Sequence, residues 1–123
     1  MYRLTVKRRF SAAHHLRDYE GKCAQLHGHN YNVEITVAGD KLNDAGMLID
    51  FARLKQICDQ VLDRYDHAYL NELPEFAQVN VTAENLAAMI FEKIAKLLSG
   101  FDVRLFEVKL YETEDSAIIY RES

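Results

Sequence analysis

Three histidines in the first quarter of the chain have the spacing of a metal site. His27 and His29 stand two residues apart, so on a β-strand both imidazoles leave the same face and can bind one ion. His14 ends the motif F-S-A-A-H in an earlier strand-like stretch, and strand pairing would bring it alongside. Three nitrogen ligands without a cysteine are typical of a Zn²⁺ site that keeps one position open for water or substrate. The alternative is a turn whose histidines are satisfied locally.

Cys23 lies four residues before His27, in a connection between strands that is long enough to place its thiol beside the metal. It could be a fourth ligand, a reactive thiol or a small buried side chain, and the residues alone leave these roles open. A metal or a nearby cation would lower the thiol pKa and make it a base or nucleophile. Cys58 falls on the apolar stripe of a predicted helix, so we expect it in the core.

Asp66 and His67 are expected to end the first helix, in the motif Y-D-H-A-Y-L-N. One interpretation is a cationic histidine that interacts favourably with the helix dipole, beside a solvated carboxylate. The other is a proton relay, in which the carboxylate orients and charges the imidazole. His15, the neighbour of His14, is expected to point away from the metal.

Glu112 ends a predicted strand and shares the parity of that strand's apolar residues, Phe106, Val108 and Leu110. A carboxylate that points toward an apolar face needs a partner. That partner is either a cation or a planar guanidine-like group that donates two hydrogen bonds. Asp50 is expected to be mainly a helix N-cap, and Glu84 mainly a first-turn acid that favours the helix dipole.

Alternation of apolar and polar residues predicts four β-strands, over residues 2–10, 31–37, 106–110 and 117–120. The parity of Tyr31 is shared by His29 and, where the strand extends back that far, by His27. The histidines therefore lie on the same side of the second strand as its apolar residues.

Two helices are predicted between the strand pairs, because apolar residues recur at spacings of three and four over 51–65 and 86–98. Asn80 or Thr82 caps the second helix. The order ββααββ has no internal repeat or linker, so it predicts one domain over residues 1–123. We expect an α+β fold with both helices on one face of an antiparallel sheet. The open edges of a four-stranded sheet predict self-association.

The composition argues against two classes of partner. The 123 residues carry 15 basic and 19 acidic side chains, and the only basic run is residues 7–9, so we expect no nucleic-acid partner. No apolar run approaches the roughly 20 residues of a membrane helix, and the first residues lack the apolar segment of a signal peptide. We therefore expect a cytoplasmic protein without a membrane partner.

Several motifs occur together and in order along the chain, namely F-S-A-A-H, C-A-Q-L-H-G-H-N-Y, G-M-L-I-D-F, Y-D-H-A-Y-L-N, V-T-A-E-N and Y-E-T. In this combination the sequence resembles the 6-pyruvoyltetrahydropterin synthase family. The three residues between Cys23 and H-G-H resemble its bacterial 6-carboxytetrahydropterin synthase branch, which belongs to the queuosine pathway. The resemblance implies a tunnelling fold, or T-fold, whose sheets join into a β-barrel in a homo-oligomer. A hexamer is favoured and a tetramer is possible, with pterin sites between subunits.

The resemblance also implies roles for individual residues. Zn²⁺ would be bound by the three histidines, His14, His27 and His29. Cys23 would be the catalytic thiol, with Asp66 and His67 as its proton-relay partners. Glu112 would anchor the aminopyrimidine edge of the pterin. His15 departs from the family pattern, in which arginine is frequent, so its position serves either the triphosphate or the loop.

The activity that the resemblance implies is zinc-dependent conversion of 7,8-dihydroneopterin triphosphate to 6-carboxy-5,6,7,8-tetrahydropterin, with release of acetaldehyde and triphosphate. This makes the protein a carbon–carbon lyase. One alternative is formation of 6-pyruvoyltetrahydropterin, which eliminates triphosphate and keeps the side chain. The other is a non-catalytic zinc-binding oligomer, in which Cys23 would close the metal shell as the fourth ligand.

Overall fold

The computed structural model describes residues 1–122, which form one sheet and two helices. The elements in chain order are β1 (Tyr2–His14), β2 (His27–Gly39), α1 (Phe51–Leu62), β3 (Ala68–Tyr69), α2 (Ala83–Leu97), β4 (Arg104–Thr113) and β5 (Ser116–Tyr120). Short 3-10 turns cover Lys22–Ala24, Leu70–Glu72 and Pro74–Phe76. The α+β class and the order of the two strand pairs around the helices are confirmed.

The sheet has five strands in the order β3-β1-β2-β4-β5, where four were predicted. All neighbours are antiparallel except β3, which runs parallel to β1 beside Ala12 and Ala13. Two residues are too few to show an alternating pattern, and for this reason the sequence did not predict β3. The extra strand covers only one end of β1.

β1 and β2 form a long hairpin whose register is continuous from Tyr2 opposite Gly39 to His14 opposite His27. Residues directly opposite in an antiparallel pair have their side chains on the same face. Pairing therefore brings His14 onto the face that His27 and His29 share, as predicted from their spacing.

The two helices cover one face of the sheet. Phe10 and Tyr31 stack there with ring centroids 4.8 Å apart, α1 packs against β1, and α2 packs against β4 and β5. Cys58 is fully buried in α1, as expected, and burial raises its thiol pKa to about 12. Asp50 caps α1 by accepting from the Ala52 amide, and Thr82 caps α2 by accepting from the Asn85 amide.

α1 ends at Leu62, so the prediction that Asp66 and His67 end this helix is wrong. The chain turns after Leu62, and the His67 amide donates to the Ser11 carbonyl. His67 takes a positive φ of 58° in this turn. The turn is needed because the chain must leave the helix to lay β3 beside β1.

A β-bulge in β4 changes the face of Phe106. The pairing of β2 with β4 shifts between Thr36 and Val37, so Leu105 rather than Phe106 lies opposite Val37. Leu105 is buried against the helices, whereas the Phe106 ring contacts Arg3 on the opposite face. The prediction that Phe106 shares the face of Val108 is therefore wrong, because a bulge interrupts the strand period. Among the described residues, neither helix has the length and apolar character to cross a membrane.

Candidate functional site

His14, His27 and His29 form a compact triad at the end of the β1–β2 hairpin where the connecting loop begins and ends. One ring nitrogen of each lies within 4.8 Å of those of the other two, which suits a single metal ion. The ring centroids are 4.5 Å apart for His14 and His27, 4.7 Å for His27 and His29, and 5.1 Å for His14 and His29. This is the grouping that the H-x-H spacing and strand pairing predicted.

Backbone carbonyls hold two of the rings in place. His14 Nδ1 lies 2.9 Å from the Val81 carbonyl oxygen, and His27 Nδ1 lies 2.7 Å from the Gln25 carbonyl oxygen. A carbonyl accepts, so each Nδ1 carries the proton and each Nε2 keeps its lone pair. Within the described residues, the buried Nε2 atoms of His14 and His29 make no hydrogen bond. Buried nitrogens without partners, on rings fixed from behind, fit a metal site.

Burial keeps His14 and His29 in the form that binds a metal. Loss of solvent lowers the pKa of His14, an effect opposed in part by its hydrogen bond to Val81. Burial also lowers the pKa of His29, with the Glu112 carboxylate opposing the shift. Neutral imidazole is the ligand form, so the depressed pKa values favour metal binding near neutral pH.

Glu112 points toward the triad, as its strand parity predicted. Its Oε1 lies 3.5 Å from His29 Nε2, a distance at which the pair interacts electrostatically without a hydrogen bond. Glu112 also lines a pocket of about 440 Å³ between α2, β4 and the β1–β2 loop. Glu84, expected to serve mainly the α2 dipole, lines the same pocket. The pocket therefore presents three carboxylates, Asp18, Glu84 and Glu112, and Glu112 is the one next to the histidine triad.

Tyr31 is a component of the site to which the sequence analysis gave no role. Its side chain is fully buried, and its hydroxyl has no hydrogen-bond partner among the described residues. The ring centroid lies 5.6 Å from that of His29 and 6.2 Å from that of His14. Burial raises the phenol pKa, so Tyr31 is a neutral hydroxyl available as a donor. The sequence contained one indication of this position, because Tyr31 and His29 are two residues apart on one strand and therefore face the same side of the sheet.

Cys23 lies in the 3-10 turn Lys22–Ala24 and is partly exposed. Its carbonyl accepts from the Leu16 amide at 2.8 Å, which ties the two ends of the loop together. The cluster of candidate ligands in residues 1–122 contains the three histidines and not the Cys23 thiol. The described structure thus leaves the centre with three protein ligands, and the fourth-ligand role finds no support in this geometry.

Asp66 and His67 form a contact pair at the sheet edge. His67 Nδ1 lies 3.0 Å from Asp66 Oδ1, and the Ser11 amide donates to the same oxygen at 2.9 Å. The Ser11 hydrogen bond is the main reason that the pKa of Asp66 is lowered. His67 lines a groove of about 490 Å³ that also reaches His29, and its side chain is 83% exposed. Neither Asp66 nor His67 hydrogen-bonds Cys23 within the described part of the chain.

His15 and Asn80 hold the β1–β2 loop in place. The Tyr69 hydroxyl lies 2.7 Å from His15 Nδ1, and the Asn71 side chain bonds both the amide and the carbonyl of His15. Asn80 bonds the backbone of Arg17 in the same two-sided way, at 2.9 Å for each bond. These contacts are consistent with the loop-stabilising alternative for His15, and its part in triphosphate binding stays a prediction.

The sequence is similar to a known protein family over almost its whole length. Residues 3–123 match the family described as 6-pyruvoyl tetrahydropterin synthase. The 6-carboxy-5,6,7,8-tetrahydropterin synthase of Bacillus subtilis is 35% identical over 127 residues, covering 98% of this chain and 85% of the relative. The 6-pyruvoyl tetrahydrobiopterin synthase of Dictyostelium discoideum is 35% identical over 130 residues, covering 96% and 94%.

A solved structure agrees with these relatives. The 6-pyruvoyl tetrahydropterin synthase of Caenorhabditis elegans superposes with a TM-score of 0.84 and 32% identity, covering 100% of this chain and 98% of that chain. The fold is therefore the T-fold expected from the motifs. The family match over nearly the whole sequence, with relatives at this identity and coverage, shows that the chain belongs to the 6-pyruvoyl tetrahydropterin synthase family of enzymes.

Proposed function

We propose that the protein is a 6-carboxy-5,6,7,8-tetrahydropterin synthase of queuosine (7-deazaguanine) biosynthesis. It converts 7,8-dihydroneopterin triphosphate and releases acetaldehyde and triphosphate. The observation that carries the proposal is the histidine triad, in which the buried Nε2 atoms of His14 and His29 have no partner within the described residues and lie near a pocket lined by carboxylates. The gap of three residues between Cys23 and H-G-H supports the carboxy product. The relatives of that name include the Bacillus subtilis and Synechocystis proteins, at 35% and 39% identity.

Zinc is the ion that we propose for His14, His27 and His29. Three imidazole ligands with an open fourth position are the ligand set of catalytic rather than structural zinc. When bound, Zn²⁺ acidifies a substrate hydroxyl and stabilises negative charge on oxygen. The protein's contribution is to fix the His14 and His27 rings through the Val81 and Gln25 carbonyls, and to keep His14 and His29 neutral by burial.

Glu112 is the carboxylate that we propose for the aminopyrimidine edge of the pterin. A carboxylate in a pocket can accept two parallel hydrogen bonds from such an edge. Glu84 faces the same pocket and is the comparison residue. The variants Glu112→Gln and Glu84→Gln show which carboxylate binds the pterin. Loss of the pterin anchor raises KM with little change in zinc content, so we expect this effect from Glu112→Gln. If Glu84→Gln alone raises KM, the anchor is Glu84.

Cys23 is the proposed catalytic thiol, and Asp66 and His67 are the proposed relay that moves protons to and from it. The relay pair is exposed at the sheet edge and does not contact Cys23 within one described chain. We propose that a homo-oligomer, with a hexamer favoured, brings the relay of one subunit to the thiol of another. The exposure of both groups in the single chain supports this arrangement.

A second activity, formation of 6-pyruvoyltetrahydropterin, has specific support. Proteins named 6-pyruvoyl tetrahydrobiopterin synthase reach 35% identity over 96% of this chain in Dictyostelium discoideum and 38% over 96% in Drosophila melanogaster. Both reactions would start from the same triphosphate, so the products must decide between them.

The test is incubation of the zinc-loaded protein with 7,8-dihydroneopterin triphosphate, with products read by mass spectrometry. We expect carboxytetrahydropterin and acetaldehyde from the wild type and from Lys22→Ala, a control in the same 3-10 turn. Cys23→Ala should lose both products. A pyruvoyl product would assign the second activity instead. Stoichiometric zinc without turnover would indicate a structural metal site.

A further inference from the structure

The sheet face opposite the helices carries a concentrated positive charge at one end. Three guanidinium groups surround the ring of Phe106, with distances to its centroid of 3.9 Å for Arg3, 5.2 Å for Arg121 and 5.7 Å for Arg104. They come from the start of β1, the start of β4 and the residue after β5. We call Arg3, Arg104 and Arg121 the arginine cluster.

The β4 bulge is what places an aromatic ring among these arginines. The register shift leaves Phe106 as the extra residue and turns its side chain away from the helices. A guanidinium that lies over a ring gains cation–π energy and keeps its N–H groups free for other acceptors. The ring therefore holds three cations close together without using their hydrogen-bond donors.

These charges are not engaged in ion pairs within the described chain. The ion pairs found within residues 1–122 involve none of the three arginines. Farther along the same face, Lys7, Glu34 and Lys109 lie opposite one another, and Glu107 lies opposite Thr36. Two lysines and two glutamates balance there, so the excess positive charge is concentrated in the arginine cluster. The whole chain has a formal charge of −4, which makes this face an exception to its surroundings.

We propose that the arginine cluster binds a small polyphosphate anion. Guanidinium groups match phosphate oxygens in geometry, and a polyanion relieves the mutual repulsion of three cations. Arg3 and His14 lie near opposite ends of β1, a separation on the order of 35 Å at strand rise per residue. The site is therefore separate from the histidine triad, and it does not depend on the reaction proposed above.

The experiment is calorimetric titration of the wild-type protein with inorganic triphosphate, and in a second arm with a nucleoside triphosphate. We expect the double variant Arg3→Gln/Arg104→Gln to weaken triphosphate affinity at least tenfold. Arg53→Gln should not change it, since this arginine lies 5.8 Å from the Phe101 ring with no cluster around it. Binding to the wild type should also weaken as salt is raised. Equal binding in the two arms indicates a polyphosphate site, and binding of the inorganic anion alone restricts it to free polyphosphate.

Unchanged affinity in the double variant, or an equal loss in Arg53→Gln, overturns the proposal. If the double variant does not fold, Arg121→Gln alone provides the test, because Arg121 is exposed beyond the last strand and its removal leaves the sheet intact. A His27→Ala variant should retain the binding, which separates this site from the metal centre. Since the readout is binding, it stands whether or not turnover is found.

Discussion

The histidine triad and the Asp66–His67 pair are held by the fold in opposite ways. His14 is 1% exposed, lies on a paired strand and is fixed by a backbone carbonyl. His67 is 83% exposed, sits in a turn with a positive φ and contacts a single carboxylate. The comparison indicates that the histidine triad is preorganised within one chain. The Asp66–His67 pair, the proposed relay, lies on a surface that a second subunit could cover.

The largest effect should come from removing a triad member. We expect His29→Ala to lose stoichiometric zinc and all measurable turnover, because no other ligand among the described residues joins the cluster. His67→Ala should keep its zinc. Metal content by mass spectrometry after dialysis checks both variants. Zinc retained by His29→Ala would show that the triad is not the metal centre.

The relay pair should affect rate without affecting metal or fold. We expect Asp66→Asn to lower kcat by about 10²- to 10⁴-fold, the usual contribution of a positioned acid–base group. Zinc content should match the wild type and the melting temperature should fall only slightly, because the pair is exposed and the amide oxygen of the variant can still accept from the Ser11 amide. A melting temperature that falls sharply along with kcat would instead indicate a structural role for the Asp66 bond to Ser11.

Mixing two inactive variants tests whether the Cys23 thiol and the Asp66–His67 relay of one site come from different subunits. If the relay of one subunit serves the thiol of another, Cys23→Ala and His67→Ala subunits that are dissociated and reassembled together should regain activity. A mixed site can combine an intact Cys23 with an intact His67. Each variant reassembled alone is the control. Activity that stays at background in the mixture would place the thiol and relay of a site on the same chain.

The two regions should titrate in different pH ranges. In the zinc-free protein, burial lowers the pKa of His14 and His29 below 6.5, so the unfolded chain binds more protons as pH falls through that value. The free energy of unfolding should therefore decrease as pH falls below about 6.5. Asp66 has a lowered pKa, so its contribution is present above 3.8 and is lost as pH falls through its folded value. Urea denaturation across this pH range measures both losses of stability. His29→Gln should reduce the loss that begins below about pH 6.5. A flat curve just below neutral pH would contradict the burial argument.

The smallest effect on stability is expected from Tyr31→Phe. The hydroxyl has no partner in the described structure, so its removal should change the free energy of unfolding by no more than about 1 kcal/mol. The ring can still stack on Phe10. Turnover should fall with zinc retained, because the hydroxyl lies near the triad as a potential donor. Unchanged kcat and KM would make Tyr31 only a packing residue.

The sequence predicted the parts of the site that depend on strand period and pairing. His27 and His29 share a face because they are two residues apart, and pairing of two long strands brings His14 to them. The same parity predicted that Glu112 points toward the triad, because the bulge at Phe106 lies before Val108 and the β2–β4 register from Val108 to Tyr111 is regular; the β4–β5 pairing shifts again between Tyr111 and Thr113. Helix caps at Asp50 and Thr82 were also predictable from local chemistry.

The parts that were missed depend on irregular backbone. The bulge at Phe106 and the two-residue strand β3 have no periodic signal, so alternation alone assigned Phe106 to the wrong face. The turn after Leu62 was read as helix because Tyr65 continues the apolar spacing. The buried, unpartnered hydroxyl of Tyr31 could be recognised only after packing was known.

The β1–β2 hairpin connects the arginine cluster at one end to the metal ligands at the other through one unbroken register. Successive residues of a strand face opposite sides, so a one-residue insertion in the middle of β1 would turn either Arg3 or His14 to the wrong face. No ligand would be substituted, yet one of the two sites would be lost. Length changes in β1 should therefore be tolerated far less than substitutions of its exposed residues.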